Sequence, residues 1–144
     1  MAETNNKTVI RRFVEEGLNK RNTALIDEVY AMEYIGHDPE RPAPRRVEDL
    51  KQGMAGLLGK VFPDAQYSIE SLVAEGDMVV WRWTFRATHQ GELMGIPPTG
   101  KSITFSGVNI FRMANGKVVE DWVYRDTVGM LRQLGAMPPP GQGR

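Results

Sequence analysis

The sequence predicts an α+β domain in which N-terminal helices pack on a strongly curved, mostly antiparallel sheet, a cone-shaped α+β barrel. Three observations predict it. Apolar residues recur at helical spacing as far as Val61 and with a period of two from Gln66 onward. The two kinds of element do not alternate, so parallel βαβ units are not indicated. Asn115-Gly116, set between two apolar runs, is the strongest short hairpin signal a sequence carries.

Val9, Ile10, Phe13, Val14 and Leu18 form one helical stripe. Leu25, Ile26, Val29 and Tyr30 form a second short helix, with Asn22 or Thr23 as its cap. The segment Glu33–Arg46, with Pro39, Pro42 and Pro44, reads as loop. Val47, Leu50, Met54, Leu57, Leu58 and Val61 mark a third helix that Pro63-Asp64 stops. Gln66–Ala74 and Met78–Thr88 then alternate as strands, the second rich in the Val, Trp, Thr and Phe that suit a pleated surface. Gly91–Gly100 is a loop by its two prolines and three glycines. Lys101–Met113 and Lys117–Arg125 are the arms of the hairpin, and Thr127–Leu134 is a last helix ended by Gly135.

Residues 1–137 read as a single domain, with a flexible Pro/Gly-rich tail over 138–144. A chain of 144 residues can bury a core without staples, and it has no cysteine, which removes disulfides, thiolate zinc sites and thiol chemistry. Eighteen basic against eighteen acidic residues give zero net charge, so the basic surface that drives nucleic-acid binding is missing. No apolar run reaches a membrane span, and Met1 to Lys7 is too polar for a signal peptide. The cytoplasm is the expected location.

A two-residue turn at Asn115-Gly116 pairs Ala114 with Lys117, Asn109 with Trp122 and Phe105 with Asp126. One face then carries Phe105, Gly107, Asn109, Phe111, Glu120, Trp122, Tyr124 and Asp126. The other carries Val108, Ile110, Arg112, Val119, Asp121, Val123 and Arg125. The first is aromatic with polar groups set into it, as a pocket for a flat, partly polar molecule would be.

Chemistry-bearing residues are few. His37, in Tyr34-Ile35-Gly36-His37-Asp38-Pro39, suits a general base or a donor to a substrate carbonyl, or a loop histidine bonded to Asp38. His89 reads as structural, and two distant histidines make no metal site. Asp126 and Glu120 sit on the aromatic face, where desolvation would raise a carboxyl pKa; Asp126 equally suits the N-cap of the last helix. On Met78–Thr88, Trp81, Trp83 and Phe85 alternate with Arg82, Thr84 and Arg86, and either set can face inward. Phosphate-binding glycine motifs, the nucleophile elbow and His-Glu-x-x-His are absent, so no cofactor or metal is expected.

Six stretches carry a resemblance. They are Tyr34–Pro39, Val61-Phe62-Pro63-Asp64, Gly91-Glu92-Leu93-Met94-Gly95-Ile96-Pro97-Pro98-Thr99-Gly100, Phe111-Arg112, Gly116–Trp122, and Gly129-Met130-Leu131-Arg132-Gln133-Leu134-Gly135. Together they resemble the SnoaL-like polyketide cyclases, within the nuclear-transport-factor-like α+β barrels. The resemblance implies a metal-free, cofactor-free intramolecular aldol closure, with an aspartate taking a proton beside a carbonyl. This chain has Val123 at the place of that aspartate and Asn109 at the place of an assisting histidine. Strict alternation puts 109 and 123 on opposite faces unless a bulge intervenes. Asp121 or Asp126 could stand in as the base. An Arg-x-Asp arrangement like that of limonene epoxide hydrolase is not matched, since Arg82-Trp83-Thr84 lacks its aspartate.

The departures favour hydroxylase relatives of anthracycline pathways over cyclases. The expected function is tailoring of an aromatic polyketide by cofactor-independent hydroxylation, with aldol cyclisation and non-enzymatic small-molecule binding as alternatives. His37, Asn109 and Asp126 are the candidate catalytic residues; Arg82, Trp83, Phe105, Trp122 and Tyr124 are the candidate substrate contacts. The expected partners are a flat hydrophobic polyketide, a separate reductase if electrons come from outside, and a second copy of the chain docked through Val108, Ile110, Val119 and Val123.

Overall fold

The computed structural model describes residues Ala2 to Pro138. All of the expected tail but Pro138 lies outside the described residues. Helix α1 (Ala2–Arg12) runs on into a π-helical stretch (Phe13–Leu18), and α2 (Ala24–Val29) follows. Between them Arg21 takes a left-handed backbone (φ 58°) that costs a non-glycine residue energy. Its guanidinium offsets this by donating to the carbonyls of Leu18, Leu58, Pro63 and Ala65 at 2.8 to 3.0 Å. One side chain thereby ties three chain segments together.

Helix α3 (Val47–Gly56) also ends in a π-helical stretch (Leu57–Val61), closed by Pro63 as its ring predicts. The strands are β1 (Tyr30–His37), β2 (Gln66–Glu75), β3 (Met78–Thr88), β4 (Ser102–Ala114) and β5 (Lys117–Arg125), followed by α4 (Thr127–Gln133). They form one sheet in the order β1-β5-β4-β3-β2, curled but not closed. Its concave face carries Trp81, Trp83, Phe85, Phe111 and Val123, buried against Ile10, Phe13, Val14, Ile26, Met54 and Leu58 from the helices. Among the described residues no helix is long and apolar enough to cross a membrane.

Two features differ from the sequence expectation. Tyr30–His37 is a strand, not helix end and loop, and it pairs in parallel with β5: Gly36 lies beside Asp121 and His37 beside Trp122. The second difference is a β-bulge in the hairpin. Ala114 pairs with Lys117 and Met113 with Val118, as the turn requires, but Arg112 pairs with Glu120. Val119 is the extra residue. Because side chains alternate, the one-residue slip turns the rest of β5 over. Asn109 therefore faces Val123, not Trp122, and Phe111 faces Asp121. Asp121, Val123 and Arg125 join the concave face, while Glu120, Trp122 and Tyr124 leave it.

At Tyr67 the free edge of β2 is capped by one side chain. Asn19, just past the first π-helical stretch, accepts from Tyr67 N–H at 2.8 Å and donates to Tyr67 C=O at 2.9 Å. Its carboxamide makes both bonds that a neighbouring strand would make at that residue.

Candidate active site

The concave face encloses a cavity of about 350 Å³, within the range of small-molecule sites. Tyr67, Trp81, Trp83, Phe85, Phe105 and Phe111 give it aromatic walls. The exposed lining residues Glu40, Leu57 and Met94 mark its mouth. The apolar wall is broken mainly on the side of β5 and β1, where Asn109, Asp121, Arg45 and Arg125 reach the lining.

Asp121 is the centre of this polar group. It is 1% exposed. Its Oδ1 accepts from the Tyr34 hydroxyl at 2.6 Å and faces Arg45 Nη2 at 3.5 Å; its Oδ2 accepts from Asn109 Nδ2 at 3.3 Å. Asn109 Oδ1 accepts from Trp83 Nε1 at 2.9 Å. Burial pushes the Asp121 carboxyl above the ordinary aspartate range, and the Arg45 charge and the bonds from Tyr34 and Asn109 offset this only in part. Burial, then the neighbouring carboxylate, raises the Tyr34 hydroxyl, so Tyr34 keeps its proton and donates it. Further out, Asp38, whose side chain is 4% exposed, joins Arg45 (3.9 Å) to Arg125 (2.9 Å), and Glu40 accepts from Arg125 and Thr127.

The β-bulge and the new strand redistribute the residues expected to form the site. Asn109, Trp83 and Phe105 line the cavity. Trp122 and Tyr124 project from the opposite, convex face, Tyr124 being 54% exposed, because the slip at Val119 turned them outward. His37 is on that convex face too, stacked on Trp122 with centroids 5.3 Å apart and bonded to Glu120 at 2.7 Å. Arg82 also points outward, toward Ser71 Oγ at 3.2 Å, since Trp81, Trp83 and Phe85 take the inward positions. Asp126 is exposed and caps α4 through Gly129 N–H at 2.9 Å, its alternative reading. Val123, expected at an interface between copies, is buried in the cavity wall.

Asp121 entered the sequence reading only as a stand-in base, while Tyr34, Arg45 and Arg125 were not expected there. The signal for Asp121 was the conflict at residues 109 and 123, which belong in one site only if the hairpin carries an extra residue. Buried His89 lies outside the cavity, its Nδ1 accepting from Thr99 N–H at 3.2 Å.

The arrangement can hold a flat aromatic molecule, take a proton from it at Asp121 and set a cation, Arg45, beside the resulting oxyanion. Comparison with known proteins gives it a lineage. The chain is 31% identical over 130 residues to the nogalonic acid methyl ester cyclase of Streptomyces nogalater, covering 85% of this chain and 94% of that one. It is 26% identical over 140 residues to an aklanonic acid methyl ester cyclase of Streptomyces peucetius, covering 94% of each. Its fold superposes on the solved structure of AclR, a suspected hydroxylase of Streptomyces galilaeus, with a TM-score of 0.86 and 31% identity over 95% of this chain and 89% of that one. The family model described as SnoaL-like polyketide cyclase matches residues 8–134. With the curled sheet and aromatic cavity in place and nearly the whole chain matched, this protein belongs to the SnoaL-like polyketide cyclase family.

Proposed function

We propose that the protein is a polyketide-tailoring enzyme that binds a flat aromatic intermediate in the cavity and deprotonates it with Asp121. One observation carries the reading: a buried carboxylate of raised basicity stands at the polar edge of an otherwise aromatic cavity. The family's usual base position is occupied by Val123, which cannot accept a proton. Asp121 lies two residues earlier on the same inward face of β5.

The proton leaves a phenolic hydroxyl. The Arg45 charge and the hydrogen bonds from Tyr34 and Asn109 offset part of the raised basicity of Asp121, and a phenol, with an ordinary pKa of about 10, is a much stronger acid than a carbon beside a single carbonyl. Arg45 receives the phenolate. Its guanidinium contacts to Tyr34, Asp121 and Asp38 all lie at 3.4 Å or beyond, which leaves it donors for a ligand oxygen. The electron-rich phenolate then passes electrons to dioxygen. One oxygen atom ends on the ring and the other in water, two electrons coming from a hydroquinone-type substrate or from a separate reductase. The likeness to AclR supports this hydroxylation.

A second reading is aldol cyclisation, in which Asp121 takes a proton from carbon beside a carbonyl. The likeness to the two methyl ester cyclases named above favours it. Oxygen uptake with reduced anthraquinone-type polyketides, followed by mass spectrometry, separates the two. Consumption of oxygen with a gain of one oxygen atom is the expected result. Ring closure without oxygen uptake replaces hydroxylation by cyclisation at the same carboxylate.

A further inference from the structure

We propose that Trp83 is a positioning residue for the proton transfer: its indole N–H locks the Asn109 carboxamide in the orientation that turns the amino group toward Asp121. The inference rests on the assignment of Asp121 as the base.

An indole N–H only donates, so the edge of the carboxamide it meets must be oxygen. Trp83 Nε1 lies 2.9 Å from Asn109 Oδ1, which leaves Nδ2 to face Asp121 Oδ2 at 3.3 Å. The flipped carboxamide would set two donors against each other at Trp83 and two acceptors against each other at Asp121. Without the indole, only the longer 3.3 Å contact to the carboxylate still opposes the turn that removes the donor from it. The strand register makes the chain of contacts possible. Trp83 pairs with Gly107, Asn109 with Val123 and Phe111 with Asp121, so Trp83, Asn109 and Asp121 lie on successive diagonals of one face.

Gly107 gives the indole its seat. A Cβ there would overlap Trp83 Cζ2 and stand 2.6 Å from Cη2 and 2.7 Å from the Tyr124 carbonyl oxygen. The indole therefore lies against bare backbone of β4. The other groups facing Asp121 come from elsewhere: Tyr30 and Tyr34 from β1 and Arg45 from the segment before α3, with Asp38 and Arg125 beyond Arg45. None of them contacts the Asn109 carboxamide among the described hydrogen bonds, so apart from Asp121 itself only Trp83 holds its orientation, and by the shorter bond.

The test titrates the Asp121 carboxyl by carbon-13 NMR in the protein alone. It is paired with the pH–rate profile on a reduced anthraquinone, for wild type, Trp83→Phe, Asn109→Ala and the double variant. Trp83→Phe keeps an aromatic wall while removing the donor, together with part of the ring seated on Gly107. It is expected to raise the Asp121 pKa by about one unit, from the loss of one hydrogen bond to a charged acceptor, and to move the acid limb of kcat upward equally. In the Asn109→Ala background the same substitution should move the pKa no further.

A lower melting temperature with the Asp121 pKa unmoved overturns the proposal, and so does an equal shift in the absence of Asn109. A shifted pKa with an unmoved acid limb leaves the Trp83–Asn109 lock standing and removes Asp121 as the base. Should Trp83→Phe fail to fold, the wild-type indole N–H resonance of Trp83 serves instead. It must titrate with Asp121, and a flat response sinks the lock.

Discussion

Substituting alanine for Gly36 should disable the site through a single methyl group. Gly36 pairs with Asp121 across β1 and β5, and a Cβ on it would overlap the Tyr34 hydroxyl oxygen and stand 2.7 Å from Asp121 Oδ1. Neither neighbour can yield. Tyr34 is fully buried, edge-on to Tyr30 with centroids 4.8 Å apart, and the Gly36 backbone is held by reciprocal 2.8 Å hydrogen bonds with Arg45. The Tyr34–Asp121 bond must therefore break. A lost hydrogen bond to a buried charged group costs about 1.5–3 kcal/mol and overpacking about 1–3, so the variant should lose roughly 3–5 kcal/mol.

The loss should also depend on pH. The Asp121 carboxyl is raised on folding, chiefly by burial, so the native state holds its proton more tightly than the unfolded chain. Stability from this group then falls as pH rises from the unfolded pKa through the folded one. Removing the Tyr34 donor lifts the folded pKa further, so the variant should be penalised more at neutral pH than in acid. Urea unfolding at both pH values measures this. Gly56→Ala is the control, since nothing lies within 4 Å of a Cβ there and the helix should gain about 0.5–1 kcal/mol. A Gly36→Ala protein less than about 1 kcal/mol below wild type, with no pH dependence, would refute the steric argument.

Other outcomes follow from the same geometry. Asp121→Asn should cut turnover by about 10²–10⁴-fold with circular dichroism unchanged, and retention of most activity would remove Asp121 from the chemistry. His37→Gln and Arg82→Ala, both on the convex face, should leave kcat within about twofold of wild type, where a large loss would place that face in the reaction. A homodimer, if formed through the convex face, buries Val108, Ile110, Trp122 and Tyr124 and not Val123. Sedimentation of the wild type as a dimer and of Trp122→Glu as a monomer is expected, and a monomeric wild type at micromolar concentration rejects the pairing.

Most of the fold was legible because its signals are local. The helical stripes, the Asn115-Gly116 turn and the alternation from Gln66 to Thr88 each sit within a few residues of chain. Strand β1 was not, because Tyr30–His37 lacks a clean alternation: buried Tyr30 and Ala31 adjoin exposed Met32 and Glu33, where its pairing with β5 is irregular. Parallel pairing also leaves no turn signal between the partners. The site failed on one residue. Val119 in Lys-Val-Val-Glu-Asp carries no glycine to mark a bulge, yet it decides whether Asp121 or Trp122 meets the cavity. The partners of Asp121 were beyond reach for a further reason: Tyr34 is 87 positions away in the chain, and only the unforeseen strand brings it near.

Asn19 has a consequence outside the site. An open sheet has two edges, and each unpaired edge is a template on which a second chain can add a strand. At Tyr67 the Asn19 carboxamide already occupies the donor and the acceptor that an incoming strand would need there, and α1 also packs against β2. The protein can thus keep its sheet open enough to curl around a cavity while closing that edge at Tyr67. At Tyr67, one amide side chain takes the place that a strand of another molecule would otherwise fill.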